Sequence, residues 1–160
     1  KVCVYIGKTC MATTVADALF IDTNALVYAN IMEAPFHGQA LASINTAREA
    51  GRTLWISRQV IREYLATLTR QQTFGHLPKA TVLAQIGQLT GQFEIADDTA
   101  PVTEHLLTLL ESYPIGGKQT HDANIVATML AYGIPCLLTH NVRDFVRFGG
   151  IIRVEGIGRV

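Results

Sequence analysis

An α/β fold, with a mainly parallel sheet covered by helices on both faces, is the class this sequence predicts, and three observations predict it. Short, charge-free and largely apolar runs at residues 18–21 and 135–139 have the length and continuity of strands buried on both sides. Stretches of helical periodicity lie between such runs. No repeat or low-complexity segment interrupts the alternation.

The first run, Ala18-Leu19-Phe20-Ile21, stops at Asp22-Thr23-Asn24, a turn or helix start. Ala40, Leu41, Ile44 and Ala47 then share a helical face that closes at Gly51. Residues 53–56 (Thr-Leu-Trp-Ile) form a second strand. Ser57 can cap the helix after it, whose stripe is Val60, Ile61, Tyr64, Leu65 and Leu68. Pro78 opens a helix through Val82, Leu83, Ile86 and Leu89, closed by Gly91, and residues 93–96 make a weaker strand. Asp98 or Thr99, with Pro101, starts a helix carrying Val102, Leu106, Leu109, Leu110 and Tyr113. After a break at 114–117, Thr120 begins a helix with Ile125, Val126, Met129 and Leu130, stopped by Gly133. Residues 135–139 are the clearest buried strand, and 151–154 the expected last one.

Composition narrows the class further. The chain has 160 residues, 49% hydrophobic and 16% charged, which suits one folded domain able to bury a core without disulfide staples. We expect that domain to span residues 11–160, with 1–10 an extension and Met11 a natural start. Three cysteines fit neither a disulfide framework nor a zinc ribbon, so a reducing, cytoplasmic setting is expected. The longest charge-free stretch, 123–142, is broken at Gly133-Ile134-Pro135 and should turn before it could cross a bilayer. Lys and Arg number 13 against 13 Asp and Glu, so net charge gives no argument for a nucleic-acid partner.

Local placement of the acids gives one. Ligands of open parallel sheets bind outside the C-terminal ends of the strands. Asp22 ends the first strand at that edge, Asp122 lies in the first turn of the helix before the 135–139 strand, and Asp144 follows that strand by five residues. Glu63 falls at the border of its helix's apolar stripe, placed to reach inward. Each has a structural alternative: Asp22 as a cap, Asp122 as a partner of the helix dipole, Asp144 in a capping arrangement with Asn141, Glu63 as a solvated side chain. Converging carboxylates without matching cations would repel unless a metal neutralised them. An oxygen-only donor set suits Mg2+ or Mn2+, ions that activate water against phosphodiesters.

Four stretches carry a resemblance. Leu19-Phe20-Ile21-Asp22-Thr23-Asn24, Ile61-Arg62-Glu63-Tyr64, Thr120-His121-Asp122-Ala123-Asn124-Ile125-Val126-Ala127 and Leu138-Thr139-His140-Asn141-Val142-Arg143-Asp144-Phe145 together resemble the PIN-domain ribonucleases, above all the VapC-type toxins of toxin–antitoxin pairs. The likeness runs from about residue 18 to 155. It implies an Mg2+- or Mn2+-dependent endoribonuclease acting on RNA such as tRNA or rRNA, with an antitoxin partner and a homodimeric state. By motif position, Asp22 and Asp122 would bind metal directly, and Glu63 and Asp144 directly or through water. Thr23, Asn24, Thr139 and Asn141 match polar positions near the site. Family members often carry an acid where Asn141 stands, so whether Asp144 or Asn141 completes the site stays open. The stretch before Ala18 is longer than is usual in the family.

Arg58 with Arg62, and Arg143 with Arg147, repeat a four-residue spacing beside Glu63 and Asp144 and are candidates to hold RNA backbone, against the alternative of ion pairing with nearby acids. Lys118, Gln119 and His121 could flank the path. Two other readings stay open: a haloacid-dehalogenase-like phosphatase with Asp22 as nucleophile, which would want an acid at Asn24, and a binding module on the same fold that does not cut.

Overall fold

The computed structural model describes residues 17–70 and 78–158. The extension expected at 1–10 lies outside them. Five strands alternate with helices as the sequence predicts: β1 (Ala18–Ile21), α1 (Thr23–Asn30), α2 (His37–Glu49), β2 (Thr53–Ser57), α3 (Arg58–Leu68), α4 (Lys79–Gln92), β3 (Glu94–Ala96), α5 (Ala100–Ser112), α6 (Gln119–Tyr132), β4 (Cys136–Thr139), α7 (Val142–Phe145), one 3-10 turn (Val146–Phe148) and β5 (Arg153–Gly156). The sheet is wholly parallel in the order β3-β2-β1-β4-β5.

β1 and β4 are the most enclosed strands, every residue of both being buried. They pair Leu19 with Cys136, Phe20 with Leu137 and Ile21 with Leu138. The chain builds β2 and β3 on one side of β1 before β4 and β5 on the other, so the strand order reverses between β1 and β4. That is where an open parallel sheet leaves a crevice at its C-terminal edge.

Ser57 and Gly133 act as expected, whereas α4 runs through Gly91 to Gln92 and Thr99 caps α5 without a side-chain hydrogen bond. Ser57 Oγ accepts the Val60 N–H at 3.2 Å and caps α3, whose Val60, Ile61, Tyr64 and Leu68 are buried. Gly133 ends α6 in the left-handed region (φ 66°), where its N–H and that of Ile134 reach the carbonyls of Leu130 and Met129. Two apolar positions do not join the core. Leu41 is 40% exposed and Leu83 54%, because the buried stripe of α2 runs through Ala40, Ser43, Ile44 and Ala47, and α4 buries only Val82 and Leu89 fully. The last strand also sits two residues later than the 151–154 expected. Ile151 is solvent-facing, and pairing with β4 begins at Arg153 opposite Cys136.

At the face of the sheet under α2, Arg52 Nη1 meets Glu155 Oε2 at 2.9 Å and the Cys136 thiol donates to Glu155 Oε1 at 2.9 Å. Burial pushes the Glu155 carboxyl up, but the thiol and the guanidinium outweigh it and hold the group below its ordinary value. This network ties the edge strand to β4 and to the residue that leads into β2. Among the described residues, no helix is long and apolar enough to cross a membrane.

Candidate active site

Asp22 stands where β1 ends and α1 begins. Its N–H still donates into the sheet, to Leu138 O at 3.0 Å, while its side chain accepts the Thr23 N–H at 2.7 Å as the cap of α1. Its other oxygen takes Asn24 Nδ2 at 2.5 Å and Thr139 Oγ1 at 2.6 Å. Thr139 in turn accepts the Asn141 N–H at 3.0 Å. Asn24 Oδ1 accepts the His140 N–H at 2.7 Å. The polar residues expected beside the acids thus form one brace across the ends of β1 and β4.

Glu63 enters from α3. One oxygen accepts Thr23 Oγ1 at 2.6 Å and the other Gln59 Nε2 at 2.8 Å. Asp122 enters from the first turn of α6. Asp22, Glu63, Asp122 and Asn141 line one cavity of about 380 Å3. Asp144 lines the adjoining cleft, which shares Asn141 with that cavity. Its negative charge still raises the Asp122 pKa, so the fourth acid faces the same field from next door.

The electrostatics follow from this enclosure. Burial drives the Asp22 pKa from 3.8 up to about 6; hydrogen bonds from Thr139 and the Thr23 backbone pull it down, and the charges of Glu63 and Asp122 push it up. Asp122 is raised too, by burial first and then by Asp144 and Glu63, with Arg147 and His121 offsetting part. Mutual repulsion among oxygen donors is the chemistry that a hard divalent cation relieves. Among the described residues, no three His, Cys, Asp or Glu side chains form a closed ligand set. The hydrogen bonds from Thr23, Asn24, Gln59 and Thr139 hold two of the acids instead.

The alternatives for single acids separate here. Asp22 is a cap and also a cavity residue, while the Asn141 side chain makes no cap bond on α7, so Asp144 does not belong to a capping box. The basic residues divide likewise. Arg58 pairs with Asp97 at 2.7 Å and Arg62 with Asp98 at 2.8 Å, both on exposed surface. Arg147 donates to Pro114 O and Gln119 Oε1. Among the described residues, the side chains of Arg143 and Lys118 have no such partner.

A comparison with family models then decides the lineage: the PIN domain model matches residues 19–151. The chain belongs to the PIN-domain family. This PIN domain is 27% identical over 135 residues to the VapC24 ribonuclease of Mycobacterium tuberculosis (strain CDC 1551 / Oshkosh), covering 82% of the chain and 91% of that protein. Among solved structures it resembles Rickettsia felis VapBC2 bound to a promoter DNA fragment, with a TM-score of 0.65, 21% identity, and 87% and 98% of the two chains covered. It also resembles M. tuberculosis VapC20, described as a toxin that cleaves the sarcin–ricin loop, with a TM-score of 0.56, 21% identity, and 74% and 86% covered. These two likenesses are of fold.

Sequence reasoning missed Gln59. It is buried on α3, donates to Glu63 and to His121 O at 3.0 Å, and accepts from Asn124 Nδ2 at 2.7 Å, so it joins α3 to the start of α6. The available signal was a polar residue one turn before Glu63 on the same helical face.

Proposed function

We propose that this PIN domain is a metal-dependent endoribonuclease of the VapC kind, cutting RNA phosphodiesters by attack of water. The observation that carries the reading is the gathering of Asp22, Glu63 and Asp122 in one cavity at the β1/β4 reversal, with Asp144 beside it. The ribonuclease named among its relatives supports the substrate class.

Asp22 and Asp122 would hold Mg2+ or Mn2+, with Glu63 and Asp144 bound directly or through water. The ion would lower the pKa of a bound water and draw charge from the scissile phosphate. Asn24, Thr139 and the Thr23 N–H fix the Asp22 carboxylate, and Thr23 and Gln59 fix Glu63, so neither must reorganise when substrate arrives. Each carboxylate keeps acceptor capacity beyond those bonds, which lets Glu63 orient a water and take its proton. Water attacking phosphorus with the 3′ oxygen leaving gives 5′-phosphate and 3′-hydroxyl ends.

An RNA digest with Mg2+, Mn2+ or EDTA, with the product ends mapped, tests the reading. Cleavage only with metal, leaving 5′-phosphates, is expected. Activity in EDTA, or 2′,3′-cyclic phosphate ends, would overturn it. The phosphatase reading loses its second acid, since Asn24 is committed to the brace around Asp22. Partners of the toxin–antitoxin kind belong to the same proposal: a second copy and an antitoxin segment would cover exposed Met32, Leu83, Leu107 and Val146 in a cytoplasmic complex.

Gln59→Ala should lower kcat by about 10-fold to 100-fold with KM little changed, because Gln59 acts by positioning Glu63. Unchanged kcat, measured beside circular dichroism, would remove it from that role.

A further inference from the structure

Next to the catalytic cavity three rings meet. Phe36 and His140 lie 4.5 Å apart at 33°, Tyr28 and His140 5.4 Å apart at 74°, and Tyr28 and Phe36 5.9 Å apart. Phe36 is 44% exposed and holds φ 64°, a left-handed conformation that costs a bulky side chain strain. The turn is tied to α1 by His37 Nδ1, 2.9 Å from Tyr28 O. The cluster is also tied to the site: Tyr28 lines the catalytic cavity, and the His140 N–H bonds the same Asn24 that braces Asp22.

His140 further lines the adjoining cleft of about 600 Å3, together with Asn141, Arg143 and Asp144. Arg143 is the arginine of the expected set whose side chain has no hydrogen bond or ion pair with another described residue. An aromatic face beside an arginine, continuous with an acidic cavity, is the chemistry that takes a nucleotide as base and phosphate together. A base offers a free face only when unpaired.

We propose that Tyr28, Phe36, His140 and Arg143 form a stacking subsite for an unpaired nucleotide flanking the scissile bond, reached past Asn141. The inference rests on the ribonuclease reading and sharpens it to single-stranded or looped RNA. Asp144 shares the cleft and repels phosphate, so stacking carries most of the affinity and Arg143 offsets that repulsion. An apolar side chain from a protein partner would leave Asn141 and Arg143 unmatched, which favours RNA as the occupant.

The test uses the full chain and a set of short single-stranded RNAs, with 2-aminopurine placed in turn at each position. Wild type should quench the fluorescence at one position by stacking. Phe36→Gly adopts the turn's backbone freely, so it should lose the quench and raise KM about 10-fold while kcat holds, with Phe36→Trp restoring both. His140→Ala should also lose the quench, and Arg143→Ala should weaken binding and flatten its salt dependence. Cleavage with KM and quench unchanged in Phe36→Gly and His140→Ala would overturn the subsite while leaving the nuclease intact. A change of oligomeric state with KM unchanged would make the rings a protein interface and overturn it too. RNA bound and quenched by wild type without turnover would support the subsite while the nuclease reading fails. Neither binding nor cleavage would end both.

Discussion

Asp22→Asn is expected to lower RNA cleavage about 10³-fold at saturating substrate without unfolding the chain. The substitution keeps the side chain's shape in a buried site but removes the charge nearest the β1/β4 reversal. An amide cannot serve as an anionic metal ligand, and it presents a donor where Asp22 accepts from Thr23, Asn24 and Thr139. Single-turnover cleavage checks the loss; a variant within tenfold of wild type would show that the proposed metal set does not depend on Asp22.

Stability should move the other way. In EDTA the folded-state pKa of Asp22 stands near 6, against 3.8 for an unperturbed carboxyl. The folded chain therefore holds this proton more tightly than the unfolded one. That contribution is fully favourable below about pH 4 and fades as pH rises through 6, leaving the ionised group a burden of about 3 kcal/mol at neutral pH. Asp22→Asn escapes it, less the cost of its new Nδ2 donor facing Asn24 Nδ2, while its oxygen can still accept the Thr23 N–H. In EDTA the variant should melt no lower than wild type at neutral pH and lack wild type's loss of stability between pH 4 and 6.

Phe148→Ala should cost about 3–5 kcal/mol of folding free energy, read from the denaturant midpoint. The ring is 1% exposed, edge-on to Tyr113 at 5.3 Å and 6.5 Å from Phe145. Its carbonyl also accepts the Ile151 and Ile152 N–H groups, closing the turn that leads into β5. The neighbours belong to separate elements, Tyr113 at the end of α5 and Phe145 in α7, so the vacated space cannot readily collapse. Cleavage should fall as well, since the same turn steadies Asp144 one segment earlier. A cost under about 1 kcal/mol would mean that the surroundings close over the gap.

How much of this was legible in the chain depended on whether a signal was local. The apolar run into Asp22, Ser57 before a striped helix, and Gly133 before a buried strand are local, and each puts its element where the structure has it. The pairing of Arg58 with Asp97 and Arg62 with Asp98 joins residues far apart in the chain, and spacing along one helix could not choose it over RNA. Gln59 was hidden because a buried amide looks like a surface residue until Asn124 and the His121 carbonyl arrive from α6. The ring cluster needed Phe36 in a left-handed turn, which no pattern of residue types around it announces. β5 misled because apolar Ile151 precedes the strand while its paired residues are Arg153 to Gly156, set by register with β4.

The order in which the strands are laid down has an outcome during synthesis. β1 emerges first, yet one of its two flanks is filled by β4, the fourth strand to be made. The hydroxyl of Thr139 that secures Asp22 arrives with it, and Asp144 later still. A nascent chain can therefore fold β1, β2 and β3 with their helices while its acids remain unassembled. A ribosome stalled before residue 136 would hold a fragment in which Asp22 lacks the Thr139 hydroxyl, and the proposed activity should await the release of β4 and Asp144.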